Sequence, residues 1–287
     1  MSKQKVGILH PGVMGIYVAE SIQNSGYTVC WASEGRSPQT RDRAEKFNLV
    51  DTATLAALCD TCPIIISVCP PHAAEEVAEQ VLAQSYQGLY LDVNAIAPQR
   101  ALRISQKMKA ARVDFVDGGI IGVPVREPEK TWLYLSGDKA EEAVALCSAG
   151  PLTACAIGEA IGRASALKMC YAAYTKGTSA LLSAILATAE VLGVRGELQA
   201  QWSRDWPNFG EQAAERVRRE TAKAWRFEGE MAEIATTFRE AGLPGEFHAA
   251  AEMIYRRLAG FKDAPAMPSL ETVLKAMTQA SEARDKM

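Results

Sequence analysis

The sequence predicts an α/β domain with a doubly wound parallel sheet, followed by an all-α domain, the two joined by one long helix. Three observations predict it. As far as residue 157, short apolar runs alternate with amphipathic stretches of helical length, and that alternation implies parallel strands with right-handed crossovers. The first apolar run ends in a turn with glycines at Gly12 and Gly15. Beyond Gly158 the strand pattern stops, and alanine, serine, glycine and threonine dominate residues 163–192. The expected division is 1–160, a Rossmann-like domain, and 161–287, a helical domain that begins with the long interdomain helix.

In order, Lys5 to His10 is the first strand run, and Pro11-Gly12 stops it. A helix from Gly12 to Ser25 should end at Gly26, the residue type that takes the left-handed stop. Thr28 to Ala32 is a strand and Thr40 to Phe47 a charged helix. Pro63 to Cys69, with three consecutive isoleucines, reads as a strand buried on both faces and broken by Pro70-Pro71. Ala73 to Gln84 is helical, Leu89 to Val93 a strand, and Pro98 to Ala110 a helix. Phe115 to Asp117 and Trp132 to Leu135 add short strands, and Lys139 to Ala149 another helix. Residues 193–208 hold breakers and tryptophans; helices then run to the C-terminus, the last one capped by Ser269.

Composition excludes several functions. With 31 Lys and Arg against 34 Asp and Glu, the formal charge is −3, without the basic stripe that nucleic-acid binding needs. The longest apolar stretch, Ala180 to Val194, is short and contains Glu190, so no membrane span is expected. No charged-then-apolar leader precedes Val6, and seven cysteines in a chain of this length fit reduced thiols, so a cytoplasmic protein is expected. Cys59 and Cys62 have the spacing of a redox or zinc pair but lack a second pair or suitably spaced histidines. No metal site is expected.

The first candidate site is the turn His10-Pro11-Gly12-Val13-Met14-Gly15. A dinucleotide turn asks for glycine at its first, third and sixth places. Gly12 would admit the pyrophosphate, Gly15 would let helix and sheet pack closely, and the helix N-terminus would face the phosphates. His10 occupies the first glycine's place. Specificity for the adenosine ribose should lie after the second strand, where Ser33, Arg36 and Ser37 suit a 2′-phosphate and Glu34 keeps a free 2′-hydroxyl open. NADP(H) is therefore the preferred cofactor, with NAD(H) as the alternative.

The second candidate is Lys168, near the start of the long helix. Helical spacing places Tyr171, Ala172 and Thr175 on its face. Apolar neighbours would lower the amine's pKa toward neutrality and suit proton exchange; the bland alternative is a lysine snorkelling to solvent. Asp117 reads as structural, a cap for the glycines that follow it.

Four stretches in order resemble the β-hydroxyacid dehydrogenases, which include 3-hydroxyisobutyrate and 6-phosphogluconate dehydrogenases. HPGVMG is similar to the family's glycine turn, and SVCPPHAAEEV to its segment along the cofactor, which implicates Val68, Cys69 and Pro70. DVNAIAP resembles its aspartate-x-serine-threonine stretch, with Asn94 in the serine's place and Ala95 in the threonine's. GEAIGRASALK resembles its catalytic-lysine segment, with Lys168 at the lysine. The resemblance implies Lys168 as general acid and base, Asn94 as the residue orienting the substrate oxygen beside the cofactor, and a substrate loop at Gly119, Ile121 and Gly122. It also implies an active site in the cleft between the domains and a homodimer formed through the helical domain.

The departures concern substrate. Ile121 stands where the family's loop has a serine, Ala172 where simple members have an asparagine, and Thr175 where decarboxylating members have a glutamate. Ile121 and Tyr171 therefore imply a substrate with a larger, partly apolar or aromatic group beside the hydroxyl. The expected activity is hydride transfer between the nicotinamide and the carbinol carbon of a 3-hydroxy-carboxylate-like small molecule. An imine reductase on the same scaffold and a non-catalytic NADPH-sensing protein are the alternatives.

Overall fold

The computed structural model describes residues 4–124 and 129–279. They divide into two compact units, Met1–Met169 and Cys170–Met287. The division falls inside the long helix rather than before it, because the helix's first turns are buried in the sheet unit: Ala164, Ser165 and Met169 are fully buried.

The first unit is built on one eight-stranded sheet of order β3-β2-β1-β4-β5-β6-β7-β8. Its strands are β1 (Lys5–Ile8), β2 (Thr28–Trp31), β3 (Val50–Asp51), β4 (Ile64–Ser67), β5 (Leu89–Asp92), β6 (Asp114–Gly122), β7 (Thr131–Ser136) and β8 (Thr153–Ala156). Between them run α1 (Val13–Asn24), α2 (Pro38–Lys46), α3 (Leu55–Thr61), α4 (Ala74–Leu82), α5 (Pro98–Ala110) and α6 (Ala140–Ala145). The β1 to β6 part is parallel and has the 3-2-1-4-5-6 order of a Rossmann domain. Alternation along the strands sends Ile66, Leu91 and Val116 to one face and Ile65, Tyr90 and Phe115 to the other, giving a core on each side of the sheet.

The expected helices and strands of residues 5–110 are present, with α5 at the expected bounds. Three elements were not expected from the sequence: β3, α3 and β8 are too short to carry a periodic signal. Two readings need correction. β7 runs antiparallel to β6, whereas alternation with helices implied parallel pairing throughout. And the stretch read as a substrate loop is strand: β6 continues through Gly118, Gly119, Ile120 and Ile121 to Gly122, paired with β7 from Ser136 back to Thr131. Glycines ordinarily weaken a strand, but here a side chain would not fit: a Cβ at Gly118 would lie 2.6 Å from the Val93 side chain.

The second unit is helical. The helix α7 (Arg163–Val191) supplies its first element, followed by α8 (Arg195–Asp205), α9 (Phe209–Glu220), α10 (Ala224–Glu240), α11 (Glu246–Leu258) and α12 (Leu270–Thr278). Where the sequence showed only breakers, α8 forms without a buried residue, and so without an apolar stripe to announce it. Ser269 caps α12 by accepting from the Thr272 N–H at 3.2 Å, as expected. Inside the unit, α10 and α11 pack with Phe227 edge-on to Tyr255 at 5.3 Å, and the Tyr255 hydroxyl donates to the Lys176 carbonyl at 2.8 Å. Lys176 pairs with the buried carboxylate of Glu230. No helix among the described residues is long and apolar enough to cross a membrane.

Candidate functional site

The register fixes which residues stand together at the carboxyl edge of the sheet. Ile8 pairs with Ile66, Ser67 with Asp92, and Asp92 with Asp117. Two residues further along each chain come His10, Cys69, Asn94 and Gly119. Cys69, Asn94 and Gly119 share one level and His10 falls one residue short of it; His10, Cys69 and Asn94 lie just past the ends of β1, β4 and β5. In an open α/β sheet this edge, at the β1/β4 switch of strand order, is where ligands bind.

The glycine turn is built around the carbonyl of His10. It accepts the Gly12 N–H at 2.7 Å, and a Cβ at Gly15 would stand 2.2 Å from it, so position 15 must be glycine. Gly12 is open, with nothing nearer to an added Cβ than 4.0 Å. It begins α1 without a side-chain cap, and the first turn carries no acidic residue. Those first N–H groups and the helix dipole are left to an anion. Val13 is exposed, Met14 packs on the core, and the Pro11 carbonyl accepts from Arg43 at 3.2 Å.

Two buried polar atoms beside the turn have no partner: Nδ1 of His10 and Nε of Arg36. Burial, and then the charge of Arg36, lower the His10 pKa to about 4, so the ring is neutral at pH 7. The Arg36 Nε–H, and the His10 Nδ1 in the tautomer that carries its proton there, are donors that the oxygens of a phosphate-bearing ligand beside this uncapped helix start would satisfy.

The end of β2 differs in part from its expected role. Ser33 is buried; its N–H donates to the Asp51 carboxylate at 3.2 Å and its carbonyl accepts from Arg41 at 2.6 Å. It therefore shapes the loop and is not turned out to a ribose. Burial works against ionisation of Asp51, but hydrogen bonds from Ser33 and Ala53 outweigh it and hold the carboxyl below its usual range. Ser37 caps α2, accepting from the Thr40 N–H at 3.3 Å. Arg36 is the cation of this loop not committed to a backbone carbonyl by its Nε.

Asn94, expected to orient substrate, is 2% exposed. Its side-chain oxygen accepts the Cys69 N–H at 2.5 Å and its amide donates to the Ser67 hydroxyl at 3.1 Å. Both ends are spent clamping the exit of β4 to that of β5. Two residues past the end of β5, Asn94 meets the neighbouring chain at the exit of β4. Val68 packs on the core and Pro70 is exposed. Burial, and then the nearby Asp92, push the Cys69 thiol up to about 12, so it is no thiolate.

Gly119 is likewise not a loop amide. A Cβ there would lie 2.8 Å from the Ala164 carbonyl and 2.9 Å from the Cβ of Lys168. It is the seat on which α7 rests, and it brings Lys168 to the edge occupied by Asn94 and Cys69. Lys168 is half-buried. Ile121 is buried in the sheet and Gly122 takes φ +132 beside the Lys130 carbonyl. Tyr171 is exposed, and the Thr175 carbonyl accepts from Arg216 at 2.5 Å; both belong to the second unit.

Sequence reading undervalued Asp117. Fully buried, it accepts from the Ser136 hydroxyl (3.0 Å), the N–H groups of Gly162 and Ser165 (3.0 Å each) and the Ser165 hydroxyl (2.5 Å). It caps α7 across 48 residues of chain, a separation no local motif reveals. A groove of about 330 Å³ lined by Cys59, Cys62, Tyr86 and Gln87 opens before β4, at the opposite end of the strands, and has no share in this site. Among the described residues no group of acidic, histidine or cysteine side chains could hold a metal.

Sheet order, glycine turn and uncapped helix start together define a nicotinamide-dinucleotide-binding domain. Residues 5–146 match the family model of the NAD binding domain of 6-phosphogluconate dehydrogenase, and residues 189–258 match DUF1932, a domain of unknown function. An uncharacterized 28.5 kDa protein of the 7S RNA 5′ region in Methanothermus fervidus is 32% identical over 166 residues, 58% of this chain and 63% of that protein. A conserved protein of unknown function, described as structurally similar to 3-hydroxyacid dehydrogenases, superposes with TM-score 0.65 at 28% identity, covering 89% of this chain and 97% of that one. The fold is also shared with 3-hydroxyisobutyrate dehydrogenase of Mycobacterium tuberculosis (TM-score 0.69, 14% identity, 96% of this chain and 100% of that one). Residues 5–146 are thus those of a 6-phosphogluconate-dehydrogenase-type NAD binding domain, and the matches together agree with the β-hydroxyacid dehydrogenase superfamily.

Proposed function

We propose that this protein is an NADP(H)-preferring oxidoreductase acting on a 3-hydroxy-carboxylate-like substrate, with Lys168 as its general acid and base. One observation carries the reading: Gly119 lets α7 lie against β6 so that Lys168 stands at the sheet edge level with Asn94 and Cys69. A bound nicotinamide would supply or take up the hydride. The chain's own part is to bind and to move a proton. Gly12, Val13 and the start of α1 would hold the pyrophosphate, and Arg36 with the exposed Ser37 would meet a 2′-phosphate. The Lys168 amine takes the proton from the substrate hydroxyl in oxidation and returns it in reduction. Asn94 acts by fixing the backbone of Cys69 and not by touching substrate.

A homodimer through the helical unit belongs to the same proposal. Tyr171, Tyr174 and Leu181 are exposed at spacings that return to one face of α7. Sedimentation of the full chain checks it: a monomer at micromolar concentration removes this part.

The test is a screen of 3-hydroxy acids with NADP⁺ and NAD⁺ in parallel, following reduced nicotinamide. Turnover that is faster with NADP⁺ supports the reading. Cofactor binding with no turnover of any hydroxy acid, or reduction of cyclic imines alone, sinks it.

A further inference from the structure

We infer that Asp117 and Gly119 are positioning residues for Lys168: one carboxylate fixes the start of α7 end-on, and one missing side chain lets the helix approach the sheet. The inference rests on the role proposed for Lys168.

Asp117 and Gly119 are two residues apart on β6 and so share a face of the sheet. The helix α7 meets that face at two points. At the first, Asp117 takes the N–H groups of Gly162 and Ser165 and the hydroxyl of Ser165. Ser136 extends the hold, since its hydroxyl donates to Asp117 and accepts from the Ala164 N–H at 3.1 Å. The N–H groups of Gly162, Ala164 and Ser165 are thus satisfied from the sheet, while that of Arg163 donates to the Ala160 carbonyl. At the second, the Ala164 carbonyl and the Lys168 Cβ lie within 3 Å of where a Cβ at position 119 would be. Lys168 follows Ser165 by three residues, so it stands one turn above the capped end on the same face. Two attachments on either side of one turn leave the α-carbon of Lys168 little freedom to slide or roll.

A fold needs a helix cap of some kind, but it does not need this one. A serine or aspartate at the helix's own N-cap would serve stability as well. A carboxylate supplied from β6 instead couples the helix start to the strand whose glycine faces the lysine. Burial pushes the Asp117 carboxyl up in pKa, and the hydrogen bonds from Ser165, Ser136 and Gly162 work against that push.

The experiment uses the full chain in four forms: wild type, S165A, D117N and G119A. Competitive labelling with acetic anhydride across pH, read by mass spectrometry, gives the reactivity of Lys168 relative to Lys107, a lysine paired with Glu75 elsewhere on the surface. Thermal unfolding, NADPH affinity and the split between kcat and KM are measured in parallel. In S165A and D117N the Lys168 to Lys107 ratio should change by about threefold or more, while NADPH affinity holds. In G119A the ratio should change as well, because the added methyl must displace the Lys168 Cβ. S165A keeps Asp117 and two of its backbone donors, so it carries the test if D117N does not fold. An unchanged ratio in folded S165A overturns the inference, even if the unfolding temperature drops. A changed ratio in a protein that turns over no hydroxy acid keeps the positioning and rejects the proposed chemistry.

Discussion

Ser165 gives both its backbone N–H and its hydroxyl to one carboxylate, that of Asp117, at 3.0 and 2.5 Å. Both residues are fully buried. This joint pins the first turn of α7 to β6 and assigns Lys168 to the sheet unit, with the dinucleotide-binding turn. Four expected outcomes follow from the arrangement.

Lys168→Ala removes the proposed acid and base and leaves the glycine turn intact. Turnover of a hydroxy acid should fall by roughly 10²-fold or more, with NADPH affinity unchanged. Steady-state kinetics and equilibrium titration read the two quantities separately. Equal turnover in the variant would refute the mechanism.

Arg36→Ala should reveal which phosphate the guanidinium serves. A charge-assisted hydrogen bond to a 2′-phosphate is worth enough that NADP⁺ affinity should drop about tenfold or more. NAD⁺, lacking that group, should bind nearly as before. An equal loss for both cofactors would place Arg36 on the pyrophosphate, beside His10.

Asn94→Ala leaves the Cys69 N–H and the Ser67 hydroxyl without their partner in a buried setting. Each such group costs about 1–3 kcal/mol, so denaturant titration should show a clear loss of stability. Undiminished stability with collapsed turnover would instead make Asn94 a substrate contact.

Asp92 provides a pH signature. It is fully buried, and its Oδ2 has no hydrogen-bond partner. Burial, helped by the neighbouring charge of Asp117, raises its pKa from 3.8 to about 7, against hydrogen bonds from Asn94. Between those values the folded state holds a proton that the unfolded state has released, so this group's contribution to stability falls as pH rises through the window. The slope is at most about 1.4 kcal/mol per pH unit. Asp92→Asn, the isostere of the protonated acid, removes it. The stability of the variant relative to wild type should therefore grow from pH 4 to pH 7 and level off above. A constant difference across that range would contradict the assignment.

Much of the site was legible in the sequence where the signal is local. Gly12 and Gly15 follow an apolar run at the spacing of a phosphate turn, and the turn forms. Residues 163–191 hold no proline and one glycine, Gly177, and form one helix. What was misread depends on partners far along the chain. DGGIIG looks like a loop because glycine is a poor strand former, yet β7 pairs with it and α7 needs its bare backbone. Asn94 looks like a ligand-facing amide until Cys69 and Ser67 are found on it.

The sequence by itself determined the alternation of strands and helices, the phosphate turn and the helix that carries Lys168, because each rests on hydrophobic period and backbone preference within a few residues. Only the tertiary structure decided that Asp117 caps α7, that Gly119 seats it, and that Asn94 is a clamp. Those facts are set by sheet register and close packing, which bring together residues that no window along the chain contains.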